Sequence, residues 1–127
     1  MEYPNPTINI FQAVNGNANF RAVHNTGPHL QSVKMCLTPN QNIGKEQHPD
    51  TDQIFIIING EGTALVDDKK YLIKPGSMVT VHAGQVHDIV NTSSIKDLRF
   101  LTIYSSPEHD KGAIHRTKKD AEKEAPY

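Results

Sequence analysis

Turn signals at close spacing limit what this chain can fold into more than anything else in it. Asn25-Thr-Gly-Pro28, Pro39-Asn-Gln-Asn42, Pro49-Asp-Thr-Asp52, Asn59-Gly60, Asp67-Asp-Lys-Lys70, Pro75-Gly76 and Ala83-Gly84-Gln85 all favour a change of direction. Glycine tolerates positive φ, proline presets φ and removes a ladder donor, and Asn or Asp can bond its own backbone. Between these points there is room only for short extended runs, over residues 20–24, 30–38, 53–59, 62–67, 71–73, 77–81, 86–91 and 98–105. Short runs at such spacing predict an all-β sandwich or barrel. The expected division is an irregular N-terminal arm over residues 1–19, a barrel over 20–105 and a tail over 106–127. In the tail, Thr117 is able to cap and Asp120 follows three positions later, so a short C-terminal helix is expected.

Composition excludes more than it assigns. At 127 residues the chain fits one domain with a core of its own. Its formal net charge of −1 gives no reason to expect nucleic acid or an anionic membrane as a partner. The single cysteine, Cys36, cannot form an internal disulfide and is expected as a small buried hydrophobe in a reducing compartment. With no basic-then-apolar leader, and no apolar run near the roughly 20 residues that span a bilayer, the expectation is a soluble, cytoplasmic protein.

Candidate chemistry gathers at four residues. Glu46 and His48 are two apart, so in an extended strand both side chains point to the same face. The turn at residues 49–52 then sends the chain back, which lets Gln53 lie beside His48. His87 heads a later run after the Ala83-Gly84-Gln85 turn. Two imidazoles and a carboxylate are a donor set for first-row divalent ions, and the Gln53 amide oxygen makes a fourth ligand. Glu46 is also the candidate proton carrier.

These residues resemble the cupin superfamily, whose motifs are written G-x5-H-x-H-x3,4-E-x6-G and G-x5-P-x-G-x2-H-x3-N. Gly44, Gly60, Gly76 and Gly84 are assigned as the glycines, with His48, His87 and Asn91 as the matching polar positions. Glu46 replaces the usual first histidine, Gln53 the usual glutamate and His82 the usual proline. The pattern is similar to small bacterial single-domain cupins with Glu-x-His-x4-Gln. The resemblance implies a jelly-roll barrel, a double-stranded β-helix, holding a divalent ion (Fe, Mn, Ni or Zn) on Glu46, His48, Gln53 and His87. It further implies Lewis-acid chemistry of an isomerase or lyase type on a small sugar- or keto-acid-like substrate. A cupin dioxygenase using Fe(II), and a non-catalytic cupin that binds a metal or small ligand, are the alternatives.

Several other residues carry expectations. With Gln53, Phe55 and Ile57 facing the interior, Ile54, Ile56 and Ile58 form an apolar stripe outside, where a one-sided sheet is normally polar. A second subunit, making a homodimer, is the favoured cover, and the arm with Ile8, Ile10 and Phe11 is the alternative. His82 is expected at the cavity rim, His24, His29, His109 and His115 at the surface, and Asn91 in a structural role. Lys118, Lys119 and Lys123 read as a solvated helix face.

Overall fold

The computed structural model describes residue 3 and residues 5–123. In chain order it contains α1 (Ile10–Asn15), β1 (Arg21–Thr26), β2 (Gln31–Leu37), β3 (Glu46–Gln47), β4 (Asp52–Asn59), β5 (Gly62–Val66), β6 (Lys69–Ile73), β7 (Met78–Val81), β8 (Val86–Val90), β9 (Leu98–Ser105), β10 (Ile114–His115) and α2 (Lys118–Glu122). The strands form two antiparallel sheets, ordered β10-β1-β2-β9-β4-β7 and β3-β8-β5-β6. This is the expected all-β jelly-roll barrel with a short C-terminal helix. Thr117 caps α2 by accepting the Asp120 N–H at 3.1 Å.

Alternation along the strands decides what faces inward. Gln53, Phe55 and Ile57 are fully buried on β4, and Val33, Met35, Leu37, Phe100 and Tyr104 from the same sheet meet Ala64, Ile73 and Ile89 from the other in one core. Gly60 closes the β4–β5 hairpin at φ 88, where a Cβ would come within 2.3 Å of the Asp97 carbonyl oxygen. No other residue fits that approach without moving the backbone.

The arm is not irregular throughout. Asn9 caps α1 by accepting the Gln12 N–H at 3.0 Å, and the helix lays Val14 and Ile10 over Ile56, Ile58, Leu101 and Ile103 on the outer face of the six-stranded sheet. Ile56 and Ile58 of the isoleucine stripe are thus packed against the chain's own helix, the cover expected as the alternative to a second subunit. Phe11, expected in that contact, is exposed on the other side of the helix. A two-turn helix framed by asparagines carries too short a period to be read from sequence.

Three further expectations need correction. The turn expected over residues 67–70 contracts to Asp67-Asp68, because Asp67 takes φ 54 and lets β6 begin at Lys69. Counting back from Glu46 puts the opening glycine of the first motif at residue 40 rather than at Gly44. Asn40 stands there with φ 64, a left-handed conformation that asparagine adopts more readily than most residues. The tail also adds a strand: β10 pairs with β1, joining Arg21 to His115 and Ala22 to Ile114.

Candidate metal centre

Ladder register builds the site. Glu46 and His87 are direct partners across the antiparallel β3–β8 pair, so their side chains rise together on the inner face. His48 follows on that face, and its carbonyl accepts the Gly84 N–H at 2.9 Å, which ties the turn before β8 to the turn after β3. Asp88 holds the approach to β3 by accepting from Asn42 Nδ2 at 2.8 Å and Gly44 N at 2.9 Å. The result brings a carboxylate oxygen of Glu46 and ring nitrogens of His48 and His87 within 4.8 Å of one another, close enough to hold one ion.

Gln53 points inward from β4, next to Phe55, whose ring centroid lies 5.9 Å from that of His87. Its amide Nε2 donates to Thr102 Oγ1 at 2.8 Å, which orients Oε1 into the interior. Among the described residues, Gln53 Oε1, Glu46 Oε1 and His87 Nε2 are buried and make no hydrogen bond. Buried polar atoms are nearly always bonded, and leaving one bare costs about 1–3 kcal/mol. Three acceptor-capable atoms left bare in one interior, beside His48, fit a cation better than they fit a packed core. The donor set, nitrogen and oxygen without sulfur, suits a first-row divalent ion.

Local electrostatics suit the two histidines to a ligand role. Burial lowers the pKa of both His48 and His87, with the Glu108 carboxylate opposing the shift at His48 and the Gln85 carbonyl opposing it at His87. His87 Nδ1 lies 3.3 Å from that carbonyl, so it is assigned the proton and Nε2 the lone pair. Burial pushes the Glu46 carboxyl up to about 7, with Arg21 pulling it down and Asp88 and Glu108 adding to the rise.

Other residues around the centre were not legible as functional. Arg21, almost fully buried, places its Nη1 3.5 Å from His115 Nδ1 and, with Glu46 and Lys118, lines a cleft of about 110 Å³ between β3 and α2. Lys118 belongs to that cleft and donates to Asn42 Oδ1 at 2.8 Å, so it is not simply a solvated lysine. His109 and His115 are buried rather than superficial. His109 Nε2 lies 3.2 Å from Tyr104 Oη, and burial, followed by the charges of Arg21, His115 and His48, pushes its pKa down to about 3. Burial of the two was hidden in sequence because it follows from the return of the tail to β1. His82 is exposed and lines a separate groove of about 510 Å³ with Tyr71, Leu72 and Met78, away from the four candidate ligands. Asn91 is structural, its Nδ2 donating to the carbonyls of Leu37, Thr38 and Lys96 at 2.9, 3.2 and 2.8 Å.

The cupin domain family profile matches residues 33–104, a span that holds all four candidate ligands. The chain is a cupin. Its curated relatives include protein L612 of Acanthamoeba polyphaga mimivirus, 36% identical over 110 residues that cover 84% of this chain and 69% of that protein. An oxalate-binding protein of Thermotoga maritima is 32% identical over 71 residues, 56% of this chain and 58% of the relative. Among solved structures, BH2720 from Bacillus halodurans superposes with a TM-score of 0.90 at 29% identity, covering 94% of this cupin and 95% of that chain. No helix among the described residues is long and apolar enough to cross a membrane.

Proposed function

We propose that this cupin holds a divalent ion on Glu46, His48, Gln53 and His87 and acts on a small oxygen-rich acid at that centre. The reading is carried by one observation, the convergence of a Glu46 carboxylate oxygen with ring nitrogens of His48 and His87 within 4.8 Å, in a barrel interior where Gln53 Oε1 is also buried and unbonded. When bound, the ion supplies Lewis-acid polarisation of a substrate oxygen. His48 and His87, kept neutral by burial, present lone pairs, while Thr102 holds the Gln53 amide in place. Burial raises the Glu46 carboxyl to about 7 in the metal-free chain, and Glu46 is assigned both to hold the ion and, when its carboxylate is free of it, to take or return a proton in an isomerase- or lyase-type step. The cationic Arg21 in the adjoining cleft supports an anionic ligand, as does the similarity to an oxalate-binding protein.

That relative's name favours a second reading, in which the centre binds a small dicarboxylate without converting it. Elemental analysis of protein purified without added metal, followed by calorimetry with oxalate, keto acids and sugar acids, tests both. Stoichiometric metal and chelator-sensitive binding of at least one acid are expected. Turnover supports the enzyme, binding without turnover supports the binder, and failure to retain any divalent ion would overturn the centre itself.

A further inference from the structure

The C-terminal tail reaches the metal centre from outside the span that matches the family profile. Glu108 Oε2 lies 3.6 Å from His48 Nδ1, and the other carboxylate oxygen accepts the Thr51 hydroxyl. The segment is not placed there by chance contact. Gln31, fully buried on β2, accepts the N–H groups of Glu108 at 3.2 Å and His109 at 3.0 Å through its Oε1, and donates from Nε2 to the His109 carbonyl at 2.8 Å. One side chain of the barrel thus clamps the backbone of the tail at the point where Glu108 turns toward His48.

A histidine ligand works through a lone pair on one nitrogen while its other nitrogen carries a proton, and the partner of that N–H decides which is which. At His87 the partner is the carbonyl of its own turn, Gln85. At His48 the Glu108 carboxylate lies against Nδ1. We infer that Glu108 is a positioning residue for the metal centre, holding His48 in the Nδ1–H form with Nε2 turned to the ion. The inference rests on the metal-centre reading above. At 3.6 Å the pair makes an electrostatic contact, and a closure of about half an ångström brings it to hydrogen-bond length. Small adjustments of that kind are common when a site engages its ligand. Thr51, itself buried, restrains the carboxylate on the side away from His48.

The test uses the full chain and three readouts. Long-range nitrogen–proton spectra of the metal-free wild type report the His48 tautomer directly, and an Nδ1–H ring is expected. A dominant Nε2–H tautomer would overturn the proposal whatever the variants do. In Glu108→Ala, metal affinity measured by competition with a chromophoric chelator should fall by about 10–100-fold, the range usual for loss of such a partner. Glu108→Gln, which keeps an acceptor oxygen but not the charge, should recover part of that loss. The visible spectrum of the cobalt-substituted protein should shift in the alanine variant and return toward wild type in the glutamine one, which a merely structural effect would not produce. Equal affinity and identical spectra in wild type and Glu108→Ala would overturn the role of Glu108 alone. A wild type that retains no metal would instead overturn the centre, while the tautomer measurement still judges the orientation of His48.

Discussion

At the scale of the residue, Glu46 sets two demands against each other. Its carboxyl is pushed up to about 7 by burial, so the folded metal-free chain binds that proton more tightly than an unfolded chain whose glutamate titrates near 4.5. A raised folded-state pKa gives a stabilising contribution that is complete below the unfolded value and is lost as pH rises through the folded one. The metal-free protein should therefore lose up to about 3 kcal/mol of stability from this group between about pH 4.5 and 7. Metal uptake runs the other way, since the ion must displace the proton. Glu46→Gln should thus be more stable than wild type in urea unfolding at pH 8 without metal, yet should retain little or none. Wild-type metal affinity should climb steeply up to about pH 7 and level off above it. A Glu46→Gln protein less stable than wild type at pH 8 would contradict the proposed burial cost. Titrating metal binding across that range checks the second part.

At the scale of the element, the six-residue helix α1 does work out of proportion to its length. Its Val14 is fully buried against Ile58 and Leu101, whereas Phe11 on the same helix is 61% exposed. Val14→Asp should cost about 3 kcal/mol or more, because it places a charge in an apolar contact that offers it no partner. Phe11→Ser should stay within about 0.5 kcal/mol of wild type. Urea titrations of the two variants give the comparison, and similar midpoints would mean that α1 is not the cover it is described as. The helix also explains why an isoleucine stripe pointed toward a homodimer: alternation on β4 shows that Ile54, Ile56 and Ile58 need cover but not what covers them. The supplier lies some forty residues upstream and is recognisable only once both are placed in space.

At the scale of the whole molecule, the proposed metal centre joins parts that are distant in the chain. β3 and β8 supply Glu46 and His87, β4 supplies Gln53, and the tail supplies Glu108, which faces His48. An ion that binds only when all of these are assembled stabilises the folded state by mass action. Saturating zinc or manganese should raise the unfolding midpoint, with a gain of about 2.7 kcal/mol when free metal is 100 times its dissociation constant. Excess chelator should remove the gain, and His87→Ala should show none. Calorimetric scans with and without metal decide it. A midpoint that ignores metal in the wild type would count against a centre assembled by folding.

The sequence by itself determined the barrel and the four candidate ligands, because both are written in short-range terms. A turn residue acts on its own backbone, residues two apart share a strand face, and motif spacing carries Glu46, His48, Gln53 and His87 with it. Only the tertiary structure decided what surrounds them. That Arg21, His109 and His115 are buried, that α1 lies over the isoleucines, and that Gln31 clamps Glu108 beside His48 all depend on contacts between segments about sixty or more residues apart, or on a helix too short to show a period. Local propensity does not encode which distant segment will supply a partner, so His109 and His115 read as surface positions until the chain closed on itself.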